Sequence, residues 1–167
     1  MMTKTLVNPG ACEPCVPREP LPCDAIPESL YFEAISGFDF DCVPGSPSGE
    51  LGYSLIPGPP WNRYLWSIDR HLGGTCPDFG GYYTVVLECR TGVGFFITVE
   101  VAVSSGVEEP PYAQFYRFQI ESSDPPFDER PIDRELEIPL VYSFHLPGTD
   151  CCGLEGATAI TARIFEY

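Results

Sequence analysis

Three cysteines lie close together near the start of the chain, in a spacing that suits metal binding, redox chemistry or crosslinking. They are Cys12, Cys15 and Cys23, in the segment CEPCVPREPLPC. Cys12 and Cys15 form a C-x2-C pair, which can supply two of the four tetrahedral ligands that structural zinc requires. A redox role needs a thiol of low pKa, usually at a helix N-terminus. Because Glu13 lies between these thiols and no helix pattern follows, the sequence argues against redox chemistry.

A zinc site would need further ligands from elsewhere in the chain. Cys23, Cys42 or the adjacent Cys151 and Cys152 could complete it, but there is no second C-x2-C pair and no paired histidine. The set Cys12, Cys15, Cys23 and Cys42 therefore stays an alternative only, and we predict no cofactor.

Disulfide bonds are the favoured interpretation of the eight cysteines. Cys76 and Cys89 bracket a loop and a strand, and could bond to each other. Cys42 follows the first predicted strand and the Cys151-Cys152 pair precedes the last, so a bridge forms there if those strands are neighbours. Eight cysteines allow 105 pairings, which the sequence does not resolve. The disulfide candidates are Cys12, Cys15, Cys23, Cys42, Cys76, Cys89, Cys151 and Cys152.

One further group of residues has the types of a catalytic triad. Ser67, Asp69 and His71 alternate in SIDRHL, so they would share one face of a strand. Triads are assembled from distant segments, and no nucleophile elbow is present. We interpret the three as an accidental surface cluster and predict that the protein is not an enzyme.

The elements that position these residues are strands throughout. Apolar residues alternate in about eight segments, most clearly at Val93, Phe95, Ile97, Val99, Val101 and Val103. Gly- and Pro-rich turns separate the segments, which favours a two-sheet antiparallel β-sandwich, immunoglobulin-like or jelly-roll. We predict an extended, Pro- and Cys-rich arm over residues 1–27 and a sandwich domain over residues 28–167. Pro139 is expected at a bulge or on an edge strand.

Aromatic residues occur on both faces of some strands, so one face must contact something other than the domain's own core. The candidates for a subunit interface are Trp61, Trp66, Tyr82, Phe96 and Tyr112. A stacking platform for a surface glycan could instead be formed by Trp61, Trp66, Tyr64, Tyr82, Tyr83 and Tyr112.

Composition limits the partners and the location. With 9 Lys and Arg against 24 Asp and Glu, the chain carries a formal charge of −15, which predicts no direct nucleic-acid partner. The longest apolar stretch, residues 93–103, contains Glu100 and is too short to span a bilayer. MMTKTLVNPG lacks the apolar region of a secretory signal, although the cysteine density suits an oxidising environment. A virion protein, assembled in the host cytoplasm and oxidised after release, satisfies both observations; an extracellular or cell-surface location is the alternative.

The order of several segments resembles that of a known group. IPESLYFEAISG (26–37), LGYSL (51–55), YTVVLEC (83–89) and the final CCGLEGATAITARIFEY are similar in spacing to small, Cys-rich, all-β hypothetical proteins of planctomycete-type bacteria and phages. That group has no established activity. The resemblance implies a disulfide-rich β domain in a particle or surface context, and no catalytic residues.

Together these observations predict a non-enzymatic structural protein of a phage particle, such as a head decoration, tail or connector-associated subunit. Its partners would be further copies of itself or other virion proteins. The second hypothesis is an extracellular carbohydrate- or surface-binding β-sandwich, and the third is a zinc-stabilised module.

Overall fold

Eight antiparallel strands form the structure. The computed structural model describes residues 19, 21–37, 48–72, 79–105, 112–122, 127–145 and 157–167. Within these ranges one short 3-10 turn, Cys23–Ala25, precedes the strands, and no helix has the length and apolar character needed to cross a membrane. The strands are β1 (Leu30–Ser36), β2 (Ser48–Ile56), β3 (Arg63–Leu72), β4 (Phe79–Arg90), β5 (Gly94–Ser105), β6 (Tyr112–Ser122), β7 (Asp133–His145) and β8 (Ala159–Glu166).

The strands close into an eight-stranded barrel, so the predicted two-sheet sandwich is wrong. Each strand pairs with the next in the chain, and β1 pairs with both β2 and β8. The register runs from Leu30 opposite Glu166 to Ser36 opposite Thr161, with one irregularity between them. Alternation in the sequence specifies which face of a strand is apolar, but it is the same for a sandwich and a barrel. Only the β1–β8 pairing distinguishes the two architectures.

The interior of the barrel is filled by the apolar faces that the sequence predicted. Phe32, Trp66 and Phe118 are fully buried, together with aliphatic side chains from β1, β2, β4, β5, β7 and β8. A barrel of eight strands is just wide enough for such side chains to fill it or for one small ligand. The all-β class and the eight strands are confirmed, each within a few residues of its predicted position.

An irregularity near Pro139 alters the pairing of β6 with β7. Arg117 lies opposite Tyr142, whereas Phe118 lies opposite Leu140, so Val141 is an extra residue in β7. This is a β-bulge, which bends the strand and re-aims the neighbouring side chains. A closed barrel has no edge strand, and Pro139 is accommodated at an exposed position two residues before the bulge.

One end of the barrel is covered by residues 21–27, the part of the predicted arm that the structure describes. The Leu21 amide donates a hydrogen bond to the Phe127 carbonyl (3.0 Å), and Ile26 is buried. The Trp66 indole N–H donates to the Pro27 carbonyl at 3.0 Å. Phe127 and Ile132, from the chain between β6 and β7, are also buried here. We call this the capped end.

The Trp66 hydrogen bond to the arm gives a stability prediction. Trp66→Phe removes the donor, leaves the Pro27 carbonyl without it and creates a small void, so unfolding should become easier by about 2 kcal/mol. Guanidinium denaturation followed by far-UV circular dichroism measures this loss. Trp61→Phe is the matched control, because Trp61 is only half-buried outside the strands. Equal losses in the two variants would contradict the assigned role of Trp66.

Candidate functional site

A disulfide between Cys23 and Cys89 fixes the arm to the barrel wall. The two Cα atoms are 5.7 Å apart, and the bond joins positions separated by 66 residues. Cys89 faces inward near the end of β4, and both half-cystines are buried. The proposed Cys76–Cys89 bond is therefore excluded, because the partner of Cys89 is Cys23.

The Cys23–Cys89 disulfide also excludes Cys23 from the alternative set of zinc ligands. Cys23 has no free thiolate to offer a metal. Cys12, Cys15, Cys42, Cys76, Cys151 and Cys152 lie outside the described residues, and their predicted disulfides stay predictions. Within the ranges that the structure describes, no group of three or more His, Cys, Asp or Glu side chains is arranged to hold a metal ion.

A cleft of about 270 Å³ lies beside the disulfide. Leu21 and Cys23 form one wall, and the β4–β5 hairpin from Cys89 to Phe95 forms the other. At the tip of this hairpin the Val93 amide donates to the Arg90 carbonyl at 3.0 Å, and Gly92 adopts a φ of 75°. That left-handed conformation favours glycine. The disulfide and the tight turn together hold the cleft in shape.

A charged triad lies on the outer wall beside this hairpin. The Glu88 carboxylate accepts hydrogen bonds from the Arg63 Nε at 2.6 Å and from the Arg90 Nε at 2.7 Å. Arg90 also lies over the Phe96 ring, with its guanidinium carbon 4.3 Å from the ring centre. Glu88 is only 7% exposed although its strand position faces outward, because the two arginines cover it.

The arginines determine the charge state of Glu88. Burial by itself would raise the pKa of this carboxyl, but hydrogen bonds from Arg90 and Arg63 outweigh it and hold the pKa below its ordinary value of 4.5. In turn, the hydrogen bond to Glu88 raises the pKa of Arg90. The triad is therefore fully ionised near neutral pH and ties β3 to β4.

The aromatic interface candidates do not lie on one surface. Trp66 is fully buried in the barrel core, which removes it as an interface or glycan-stacking residue. Trp61 is half-buried in the β2–β3 connection, and Phe96 is half-buried on the outer wall beneath Arg90. Tyr82 and Tyr112 lie in β4 and β6, but only their backbones belong to the described part.

The triad-like residues of β3 face the solvent. Ser67, Asp69 and His71 are all exposed on the outer wall, as alternation predicts. The Asp69 carboxylate accepts a hydrogen bond from the Thr84 hydroxyl of the neighbouring strand. Asp69 therefore has a structural contact that links β3 to β4.

An apolar patch on the outer wall was not predicted from the sequence. Phe115 and Tyr142 contact each other across β6 and β7, with ring centres 5.4 Å apart. Beside them, the bulge residue Val141 is 56% exposed and Tyr142 is 45% exposed. We call Phe115, Val141 and Tyr142 the bulge patch. The only signal in the sequence was Pro139, because a proline in a strand indicates a nearby bulge.

Comparison with known proteins gives no match to a protein-family model, to a curated protein or to a solved structure.

The Cys23–Cys89 bond should dominate the stability of the protein. Closing a loop of this length removes about 4 kcal/mol of chain entropy from the unfolded state. The Cys23→Ser/Cys89→Ser double variant should lose stability of that order in denaturant titrations. Non-reducing peptide mapping should recover a single peptide pair containing Cys23 and Cys89. Recovery of Cys89 bonded to any other cysteine would contradict the assignment.

Glu88 should contribute a pH-dependent part of the stability. Its pKa is lower in the folded than in the unfolded protein, so its contribution is complete above the ordinary value of 4.5 and is lost as the pH falls below it. Glu88→Gln should therefore cost about 2 kcal/mol at neutral pH, and the difference from the parent protein should shrink in acid. Denaturant titrations at a series of pH values measure both effects.

A matched control for Glu88→Gln is Glu137→Gln. Glu137 is exposed on the outer wall of β7, so its substitution should leave the stability nearly unchanged at every pH. A pH-independent loss in Glu88→Gln would assign its effect to packing instead of charge.

Proposed function

We propose that this protein is a non-enzymatic structural subunit of a phage particle, and that the outer wall of the barrel contacts neighbouring subunits. The filled interior supports this proposal. Trp66, Phe32 and Phe118 occupy the centre of the barrel, which favours a role for the wall over one for the interior.

The observation that carries the proposal is the bulge patch. Phe115, Val141 and Tyr142 present adjacent apolar and aromatic surface to solvent. Tyrosine and phenylalanine are enriched where subunits meet, and clustered exposed apolar side chains favour an interaction site. We assign this patch to contact with a second copy of the chain.

The disulfide supports the setting. Disulfide bonds persist in oxidising environments, including virion surfaces. Cys23–Cys89 fixes residues 21–27 to the barrel. A subunit stapled in this way resists unfolding outside a cell, which a particle component needs.

Self-association should depend on the bulge patch and on salt. We expect the mass of the protein in sedimentation equilibrium to rise with concentration in the micromolar range. The Val141→Ser/Tyr142→Ser double variant should weaken association by about tenfold or more, since central interface residues dominate binding. Added salt should strengthen association of the parent protein, because it screens the repulsion between chains of charge −15.

The matched control removes equally exposed apolar surface elsewhere. Ile35 is 46% exposed and Tyr167 is 63% exposed, and neither belongs to the bulge patch. Ile35→Ser/Tyr167→Ser should therefore associate like the parent protein. A parent protein that stays monomeric, or a control weakened as much as the patch variant, would contradict the assembly surface.

The particle setting has a separate test in gene order. Capsid, portal or tail genes beside the coding sequence would support it. A position within a metabolic operon would count against it, whatever the state of association.

A further inference from the structure

The barrel end opposite the capped end contains a row of inward-facing polar residues. Here the strands begin or end at Ser36, Ser48, Leu72, Phe79, Ser105, Tyr112, His145 and Ala159. Arg70 lies opposite Tyr83, Tyr83 opposite Val101, and Val101 opposite Tyr116. Directly opposed residues share a face of the sheet, so these side chains belong to one layer inside the barrel wall. We call Arg70, Tyr83 and Tyr116 the polar layer.

The hydroxyl of Tyr83 is buried without a partner. The residue is only 2% exposed, and its oxygen makes no hydrogen bond within the described part of the chain. Burial raises the pKa of this phenol, and nearby Arg70 partly opposes the shift. The hydroxyl is therefore protonated at neutral pH and can donate. A buried hydroxyl without a partner is uncommon because its desolvation is not compensated.

Arg70 differs from the other arginines of the described ranges. Six of the seven form an ion pair with Asp or Glu: Arg63, Arg90, Arg117, Arg130, Arg134 and Arg163. Arg70 has no such pair with any described acid. Arg70 is therefore the one arginine of the described ranges that has no partner among the described acids.

Gly49 explains how the guanidinium reaches the interior. A Cβ atom at Gly49 would lie 2.5 Å from the Arg70 Nη2 and 2.5 Å from the Ile68 Cδ1. Both distances are well inside van der Waals contact, so the absence of a side chain on β2 makes room for the Arg70 head group. Gly49 is buried, whereas Arg70 as a residue is exposed. The guanidinium therefore lies against the inner face of β2 at Gly49, in a residue that is exposed to solvent as a whole.

We propose that Arg70 and Tyr83 form a binding site for a small oxyanion, a carboxylate or a phosphate, at this end of the barrel. Arg70 supplies fixed positive charge and parallel N–H donors, whose fork matches either group. Tyr83 supplies a neutral O–H donor from a site of low polarity, where a hydrogen bond to an anion is strong. An oxyanion accepts from both, which gives the Tyr83 hydroxyl a partner and the guanidinium a counter-charge. The site is independent of the bulge patch.

The experiment titrates the folded protein with two probes, inorganic phosphate and benzoate, at constant ionic strength set by chloride. Isothermal calorimetry measures the affinity, and the NMR signals of tyrosines labelled at the ring carbon that bears the hydroxyl report on Tyr83. We expect saturable binding of at least one probe with a shift of the Tyr83 signal. The stronger of the two probes identifies the carboxylate or the phosphate as the preferred group.

Two substitutions separate the charge from the hydroxyl. Arg70→Gln should weaken binding by about tenfold or more, as expected when a charge-assisted hydrogen bond is removed. Tyr83→Phe, which keeps the ring, should weaken binding several-fold while leaving the unbound protein at least as stable. Gly49→Ala should also weaken binding, because its methyl group displaces the guanidinium.

The matched control is Arg130→Gln, since Arg130 is an exposed arginine paired with Glu166 at the other end of the barrel. Its affinity for either probe should equal that of the parent protein. Absence of saturable binding by both probes would overturn the proposal. So would equal affinities in the parent protein, Arg70→Gln and Tyr83→Phe, which would show that any binding occurs elsewhere.

Discussion

The pairing of β1 with β8 is the constraint on which the rest of the structure depends. It joins the first strand to the last, so every strand has a hydrogen-bonded neighbour on each side. Open edges promote association between sheets, and closure leaves fewer of them. The side chains of the outer wall and the two ends are then the main surfaces for contact with other molecules. Closure also directs the apolar faces of eight strands into one shared core.

The two ends of the closed barrel are built differently. At the capped end, residues 21–27 are fixed by the Cys23–Cys89 bond and by the hydrogen bond from Trp66 to Pro27. That end is apolar and stapled. The opposite end contains Arg70 and Tyr83 of the polar layer, and the missing side chain of Gly49 leaves space there for the Arg70 guanidinium. The disulfide therefore lies at one end, and the Tyr83 hydroxyl, which has no hydrogen bond within the described part of the chain, lies towards the other.

The net negative charge of the outer wall follows from the small number of basic residues in the chain. Six of the seven arginines of the described ranges are paired with acids, several of them across neighbouring strands, as Arg63 is with Glu88 and Arg163 is with Asp133. Such pairs link adjacent strands but leave a large excess of negative charge. An association surface on this protein must therefore be apolar, as the bulge patch is, and must overcome repulsion between like-charged copies.

The sequence by itself determined the strands, their inward faces and the all-β class, because side chains alternate across a strand and the apolar residues follow that alternation. It also predicted disulfide bonding and, for Pro139, a bulge or an edge strand. Only the tertiary structure decided the barrel, since closure depends on β1 meeting β8 at a distance of more than 100 residues in the chain. The same holds for Cys23 as the partner of Cys89, for the burial of Trp66, and for the meeting of Gly49, Arg70 and Tyr83. Those relations depend on how the strands pair with one another, and the residue pattern within a single strand does not specify that pairing.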